Sequence, residues 1–206
     1  MLKLIPNILT LGRLGLTFVF VVMILYSPRV SEIARYLDVA FILFVVAGLT
    51  DVVDGMVARR FNVTSKFGRM IDPLVDKILV CGTFVCFAII GEPRLFGWDR
   101  FTLGVIHWLV AGILIAREAY VTALRHIAEA RGVNFAATVS GKVKMLLQSF
   151  AIGTVLIKTG HVPDAQWGYW FTSVTFVAML AVTVYSGLRA TRRSSWRESR
   201  LKGQEK

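Results

Sequence analysis

Charged residues are scarce in this chain. They account for 18% of its 206 residues, whereas 55% of the residues are hydrophobic and the mean hydropathy is +0.63. A water-soluble domain averages about 25% charged and about 45–50% apolar residues. The composition therefore disfavours an ordinary soluble domain, and it excludes intrinsic disorder, which requires low hydrophobicity.

Cysteine and histidine are also rare. Cys81 and Cys86 lie in an apolar stretch without C-x-x-C spacing, so we expect them to be packing residues. His107, His126 and His161 are scattered, each without a second ligand at metal-binding spacing. The sequence therefore gives no indication of a zinc site built from thiols or imidazoles.

Acidic residues are outnumbered by basic ones. The chain has 13 Asp and Glu against 24 Lys and Arg, which gives a net charge of +11. In a soluble protein such an excess would indicate nucleic-acid binding. In an apolar chain it is better explained by contact with an anionic membrane surface. We therefore expect a lipid bilayer, and no nucleic acid, among the partners.

The chain does contain long apolar stretches. A helix needs roughly 20 apolar residues to cross about 30 Å of hydrocarbon. We predict an all-α integral membrane protein with six transmembrane helices and a short N-terminal amphipathic surface helix at residues 7–13. It would form one domain over residues 1–206, with a basic C-terminal tail over about 190–206. The predicted spans are Leu14–Tyr26, Ile33–Val57, Ile71–Ile90, Phe101–Leu124, Val139–Ile157 and Tyr169–Leu188.

Lys and Arg are distributed unevenly about these spans. With six spans, 19 of the 24 fall on the side that holds both termini and the connections at 58–70 and 125–144. Only five fall on the other side. Because cytoplasmic loops are enriched in Lys and Arg, we predict that both termini are cytoplasmic.

Four aspartates flank the connection between the second and third predicted spans. Asp51 and Asp54 are one helical turn apart, as are Asp72 and Asp76, so each pair lies on one helix face. Carboxylates at membrane depth usually mark function. Two antiparallel helices could join these pairs into an all-oxygen cluster, which suits Mg²⁺ or Mn²⁺ rather than zinc. Four carboxylates around two divalent cations balance charge, as in two-metal phosphoryl-transfer sites.

Small and basic residues accompany the aspartates. Gly55 and Ala58 continue the Asp51 stripe and leave a concave patch, Arg59 is suited to bidentate phosphate contact, and Gly68 precedes the next helix. The alternative is that the carboxylates form interfacial salt bridges with nearby cations, namely Arg59, Arg60, Lys66, Arg69 and Lys77.

The complete pattern resembles the signature of the CDP-alcohol phosphatidyltransferases. Asp51-x-x-Asp54-Gly55-x-x-Ala58-Arg59 is followed, after eight residues, by Gly68-x-x-x-Asp72-x-x-x-Asp76. The resemblance implies that a hydroxyl attacks the β-phosphorus of a CDP-linked lipid and releases CMP. It implies a two-metal centre held by Asp51, Asp54, Asp72 and Asp76, with Asp76 also acting as the catalytic general base. The implied CDP-lipid contacts are Asn7, Thr10, Gly55, Ala58, Arg59, Ser65 and Gly68.

Further segments indicate the acceptor alcohol. Asp72-Pro73-Leu74-Val75-Asp76-Lys77 is similar to the D-P-x-A-D-K form of family members that make phosphatidylglycerophosphate or cardiolipin, with Val75 in place of Ala. Segments around residues 116–125 and 141–148 resemble bacterial members that make phosphatidylglycerophosphate. We predict that four cations bind the phosphate of sn-glycerol 3-phosphate: Arg117, Arg125, Lys142 and Lys144. An alternative for Arg117 is pairing with Glu118 or with the carboxylate cluster.

These inferences give a main interpretation and two rivals. The main one is transfer of a phosphatidyl group from CDP-diacylglycerol to sn-glycerol 3-phosphate, in the bacterial inner membrane, by an expected homodimer whose active site faces the cytoplasm. The nearest rival keeps the chemistry but uses phosphatidylglycerol as acceptor and makes cardiolipin. A rival of another class is a divalent-cation transporter that uses the four aspartates as its transport site.

Overall fold

The described part of the chain is helical apart from its connecting turns, and most of the helical residues are α-helical. The structure is a computed structural model that describes the backbone of residues 5–61, 74–130 and 139–204, and the side chains of residues 11–50, 74–130 and 141–192. Within these ranges it contains no strand. The α-helices are α1 (Ile5–Tyr26), α2 (Ile33–Phe61), α3 (Thr83–Ile90), α4 (Arg100–Ala130), α5 (Val139–His161) and α6 (Gln166–Gln204).

Short local signals set the helix boundaries. Pro28 lies in a 3-10 turn, Ser27–Arg29, between α1 and α2. Gly91 ends α3 in the left-handed conformation at φ 74°, where its N–H donates to the Phe87 carbonyl at 2.9 Å. Asp99 caps α4 by accepting hydrogen bonds from Thr102 Oγ1 at 2.6 Å and Thr102 N at 3.0 Å. These hydrogen bonds to the carboxylate lower the pKa of Asp99.

The third helix begins irregularly. Residues 74–77 are helical and lead into a π-helical segment, Ile78–Gly82, which continues into α3. A π-helical turn is rare, and such turns frequently occur at functional sites. This one follows directly after Asp76 and Lys77.

Four described helices are long and apolar enough to cross a membrane. They contain Leu11–Arg29, Ile33–Thr50, Arg100–Ala130 and Gln166–Arg192, which correspond to the first, second, fourth and sixth predicted spans. The start of the third predicted span lies outside the described residues. Helix α5 has the required length, but its lysines and Gln148 lower its hydropathy. The described part of this membrane protein is thus all-helical, and the count of six spans stays a prediction.

The ends of the chain differ from expectation. The separate surface helix predicted at residues 7–13 is wrong, because these residues are the first part of the continuous helix α1. Pro6 occupies the first turn of α1, where proline is compatible with a helix, so nothing interrupts the chain before Tyr26. At the other terminus, helix α6 continues through most of the basic tail to Gln204.

The helices pack around a core of large apolar side chains. Phe20, Ile24, Leu114, Ile152 and Met179 are essentially inaccessible. The outer surface is also apolar, with Phe101 81% exposed and Leu146 71% exposed. Water would disfavour so large an apolar surface, whereas lipid hydrocarbon does not.

Polar contacts gather at the two ends of the bundle. One end, called here the Asp76 end, contains Arg13, Asp76, Glu118, Lys144 and Ser186. The opposite end contains the turns at 27–32, 91–99 and 162–165. There His161 Nε2 lies 2.7 Å from Asp38 Oδ1, and the Phe96 ring centroid lies 5.1 Å from that of Trp170. His107 of α4 is also buried.

Candidate active site

Most of the predicted metal and CDP-lipid residues fall where side chains are not described. Helix α2 carries Asp51 and Asp54 one turn apart, together with Gly55, Ala58 and Arg59, and α1 carries Asn7 and Thr10. Ser65, Gly68 and Asp72 lie outside the described residues. Within the described ranges no three His, Cys, Asp or Glu side chains form a metal-binding group. Of the predicted metal ligands only Asp76 has a described side chain, so the two-metal centre stays a prediction.

Asp76 is held against helix α1. Its Oδ1 lies 3.6 Å from Nη1 of Arg13, whose side chain is 1% exposed, while the Asp76 side chain is 32% exposed. An aspartate in this position combines a fixed cationic neighbour with access from outside the bundle. From the sequence alone, no role was predicted for Arg13. A signal was nevertheless present, because Arg13 is the only charged residue in α1.

Lys77 holds the helical turn at residues 74–77 against helix α4. Its Nζ donates a hydrogen bond to Thr122 Oγ1 at 2.8 Å. The two residues that precede the π-helical segment therefore contact different helices, with Asp76 facing α1 and Lys77 facing α4. These contacts orient Asp76, the predicted general base.

A buried charge cluster joins helices α4, α5 and α6. Glu118 Oε1 accepts hydrogen bonds from Lys144 Nζ and from Arg117 Nη1, the latter at 2.8 Å. Arg117 Nη2 donates to Ser186 Oγ at 2.9 Å. Lys144 is only 4% exposed. Two cations share one carboxylate, so the cluster of Arg117, Glu118, Lys144 and Ser186 carries an excess positive charge.

Only two of the four predicted acceptor-binding cations belong to this cluster. Arg117 and Lys144 meet at Glu118, as the alternative for Arg117 anticipated. Arg125 and Lys142 are exposed, and neither takes part in the described contacts of the cluster. The structure thus brings together two of the four.

Two buried N–H groups beside the cluster have no described hydrogen-bond partner. They are Nε of Arg117 and Nε2 of Gln148, which lies one turn after Lys144 on α5 and is 1% exposed. A buried donor without an acceptor costs about 1–3 kcal/mol, so such groups are usually matched by a ligand or water. A phosphate oxygen could accept a hydrogen bond from either donor. Gln148 lies in the segment 141–148 that resembles bacterial family members, but no role was predicted for it from the sequence.

Comparison with known proteins matches nearly the whole chain. The family model for CDP-alcohol phosphatidyltransferase matches residues 3–188. The chain belongs to this family. A CDP-diacylglycerol–glycerol-3-phosphate 3-phosphatidyltransferase of Bacillus subtilis is 31% identical over 191 residues, which cover 89% of this chain and 91% of the relative. A probable phosphatidylglycerophosphate synthase of Mycobacterium tuberculosis is 31% identical over 185 residues, covering 89% of this chain and 78% of that protein.

Other bacterial relatives carry the same name. A CDP-diacylglycerol–glycerol-3-phosphate 3-phosphatidyltransferase of Salmonella choleraesuis is 32% identical over 187 residues, which cover 90% of this chain and 91% of the relative. Membership of the CDP-alcohol phosphatidyltransferase family confirms the resemblance drawn from the aspartate and glycine spacing.

Proposed function

We propose that this chain transfers the phosphatidyl group from CDP-diacylglycerol to sn-glycerol 3-phosphate, which yields phosphatidylglycerophosphate and CMP. The relatives named for this reaction support the proposal, because they match along about nine-tenths of the chain. The structural observation that carries it is the buried, positively charged cluster at the Asp76 end.

The cluster is suited to an acceptor that carries a phosphate. Burying a second cation beside one carboxylate is costly unless another anion compensates it. Arginine and lysine donate charge-assisted hydrogen bonds to phosphate oxygens. The phosphate of glycerol 3-phosphate would supply the missing negative charge, with Arg117 and Lys144 as its ligands. Arg125 and Lys142, which are exposed, would attract the acceptor from solution.

Asp76 would act as the general base. The acceptor hydroxyl oxygen attacks the β-phosphorus of CDP-diacylglycerol as its proton passes to an Asp76 carboxylate oxygen. The bond between that phosphorus and the oxygen bridging to CMP breaks, and CMP leaves with the bonding electron pair. Arg13 would keep the carboxylate in place, and Lys77 would hold the turn against α4.

The family resemblance also implies two divalent cations. The expected donor set of Asp51, Asp54, Asp72 and Asp76 consists only of carboxylate oxygens, which fits Mg²⁺ or Mn²⁺. When bound, such cations supply charge stabilisation for the phosphates. Asn7, Thr10, Gly55, Ala58, Arg59, Ser65 and Gly68 would contact the CDP-lipid.

The membrane arrangement belongs to the same proposal. Six helices would span the bacterial inner membrane with both termini and the Asp76 end in the cytoplasm, where glycerol 3-phosphate is available. The uneven distribution of Lys and Arg supports this orientation. We expect a homodimer.

An assay with purified protein tests the proposal. CMP release is measured with CDP-diacylglycerol, Mg²⁺ or Mn²⁺ and one acceptor at a time: glycerol 3-phosphate, phosphatidylglycerol, serine or inositol phosphate. We expect release with glycerol 3-phosphate alone and none after chelation of divalent cations. Release with phosphatidylglycerol alone would instead identify a cardiolipin synthase. Full activity in the presence of chelator would contradict the metal proposal.

A further inference from the structure

A second buried lysine lies at the opposite end of the bundle from the proposed active site. Lys158 of α5 is 3% exposed, and its Nζ donates to the backbone carbonyl of Arg94 at 2.6 Å. The same Nζ lies 4.8 Å from the centroid of the Tyr169 ring. The lysine stem packs against Gly168, where a Cβ would lie in ordinary van der Waals contact with Lys158 Cγ at 3.6 Å. The ammonium group is therefore fixed in position.

The carboxylates of Glu92 and Asp164 lie close enough to act on the charge of Lys158, but neither forms an ion pair with it within 4 Å. The Glu92 carboxylate instead lies 3.3 Å from Arg94 Nε and accepts a hydrogen bond from the Arg94 backbone N–H at 3.0 Å. A carbonyl and an aromatic ring compensate an ammonium charge only in part. A cation at membrane depth is expected to have an anionic partner. Lys158 therefore has no anion in direct contact with its ammonium group among the described residues.

Lys158 also lines an apolar groove between α2, α5 and α6. The groove has a volume of about 450 Å³, within the range of ligand pockets. Its walls include Phe41, Phe44, Phe150, Ile157, Trp167 and Phe171. Thr172 lines the same groove, and its Oγ1 is buried without a described hydrogen-bond partner. Phe150, Ile157 and Trp167 are also exposed on the apolar outer surface, so the groove is suited to an acyl chain from the surrounding lipid.

We propose that this groove is a binding site for an anionic phospholipid, with one acyl chain along the aromatic walls and the headgroup phosphate at Lys158. Charge complementarity selects the anionic lipid, because the groove itself offers only apolar contact and hydroxyl groups. The site lies at the other end of α5 from Lys144 and does not depend on the proposed reaction. The lipid would be a bound component of the folded protein rather than a substrate.

Native mass spectrometry of the full-length protein in detergent can test this inference. Chain-matched phosphatidylglycerol and phosphatidylcholine are titrated separately, each with saturating CDP-diacylglycerol present so that the substrate site is occupied. We expect a preference of about tenfold for phosphatidylglycerol, or about 1.4 kcal/mol, because phosphatidylcholine has the same phosphate but its choline ammonium offsets the negative charge that faces Lys158. Lys158→Gln should abolish the preference and Lys158→Arg should retain it. Arg35→Gln, which changes an exposed cation at the same end, should have no effect.

A second pair of variants tests the groove itself. Ile157→Trp fills the groove and should weaken binding of both lipids, whereas Leu146→Trp, at an exposed site on the same helix outside the groove, should not. A photoreactive acyl chain should label α5 and α6 near the groove. Equal binding of the two lipids, unchanged preference in Lys158→Gln, or labelling confined to other helices would overturn the proposal. Dissociation of a dimer by Ile157→Trp would show that a second copy occupies the groove, and would overturn it too.

Discussion

Replacing Lys144 with Met tests whether the buried cluster binds the acceptor phosphate. The change removes one of two cations and leaves Glu118 paired with Arg117 at 2.8 Å, so the charge that remains buried is balanced. The fold should therefore tolerate it. A hydrogen bond to a charged group contributes about 1.5–3 kcal/mol. Since about 1.4 kcal/mol corresponds to a factor of ten, the KM for glycerol 3-phosphate should rise about 10–100-fold.

Lys142 provides the matched control two residues away. Because it is exposed, Lys142→Met should change the same KM by no more than about fivefold, the range of a surface charge interaction. CMP release is measured against glycerol 3-phosphate concentration at saturating CDP-diacylglycerol, with thermal unfolding in detergent as the stability control. Equal KM increases for the two variants, or an unchanged KM in folded Lys144→Met, would show that the buried Lys144 does not bind the acceptor phosphate more strongly than the exposed Lys142.

Three further variants probe the same end of the bundle. Glu118→Gln leaves Arg117 and Lys144 without a counter-charge and should lower the free energy of unfolding by about 3–5 kcal/mol in chemical denaturation. Adding Lys144→Met should recover part of this loss. If the effects of the two substitutions on the free energy of unfolding simply add, Glu118 is not paired with Lys144. Asp76→Asn should reduce CMP release by about 10²–10⁴-fold. Binding of CDP-diacylglycerol, measured by filtration, should be retained. Near-normal turnover would exclude Asp76 as the general base. Arg13→Met should lower kcat more than it raises the KM for either substrate, with partial recovery in Arg13→Lys; a change in KM alone would mean that Arg13 binds substrate rather than positioning Asp76.

Hydropathy predicted most of the described fold. The predicted fourth span, Phe101–Leu124, lies within α4, and the predicted second span lies within α2. The errors occur where polarity changes inside a continuous helix. Residues 7–13 and the basic tail differ in composition from the adjoining spans, so they resembled separate elements. Backbone hydrogen bonding does not depend on that difference, and α1 and α6 therefore continue through it.

The sequence predicted which residues carry charge more readily than how they pair. Glu118 and Lys144 are 26 positions apart, and their contact depends on how α4 and α5 are rotated against each other. Ser186 reaches Arg117 from a third helix. The spacing of residues along one helix does not predict how that helix is rotated against its neighbours. The contact of Arg13 with Asp76 was missed for the same reason.

Helix α5 shows how a functional constraint can weaken a hydropathy signal. Its inaccessible positions Gln148, Ile152 and Val155 follow helical spacing, and Lys144 and Lys158 lie at the two ends of the same buried stripe. Fourteen residues of helix place these lysines about 21 Å apart. Lys144 is partnered by a carboxylate, whereas Lys158 is partnered by a carbonyl and a ring. Polar residues on an outward face could be explained by solubility, whereas a buried lysine is costly unless anions compensate its charge. We therefore propose that the lysines that lower the hydropathy of α5 mark where anionic ligands bind.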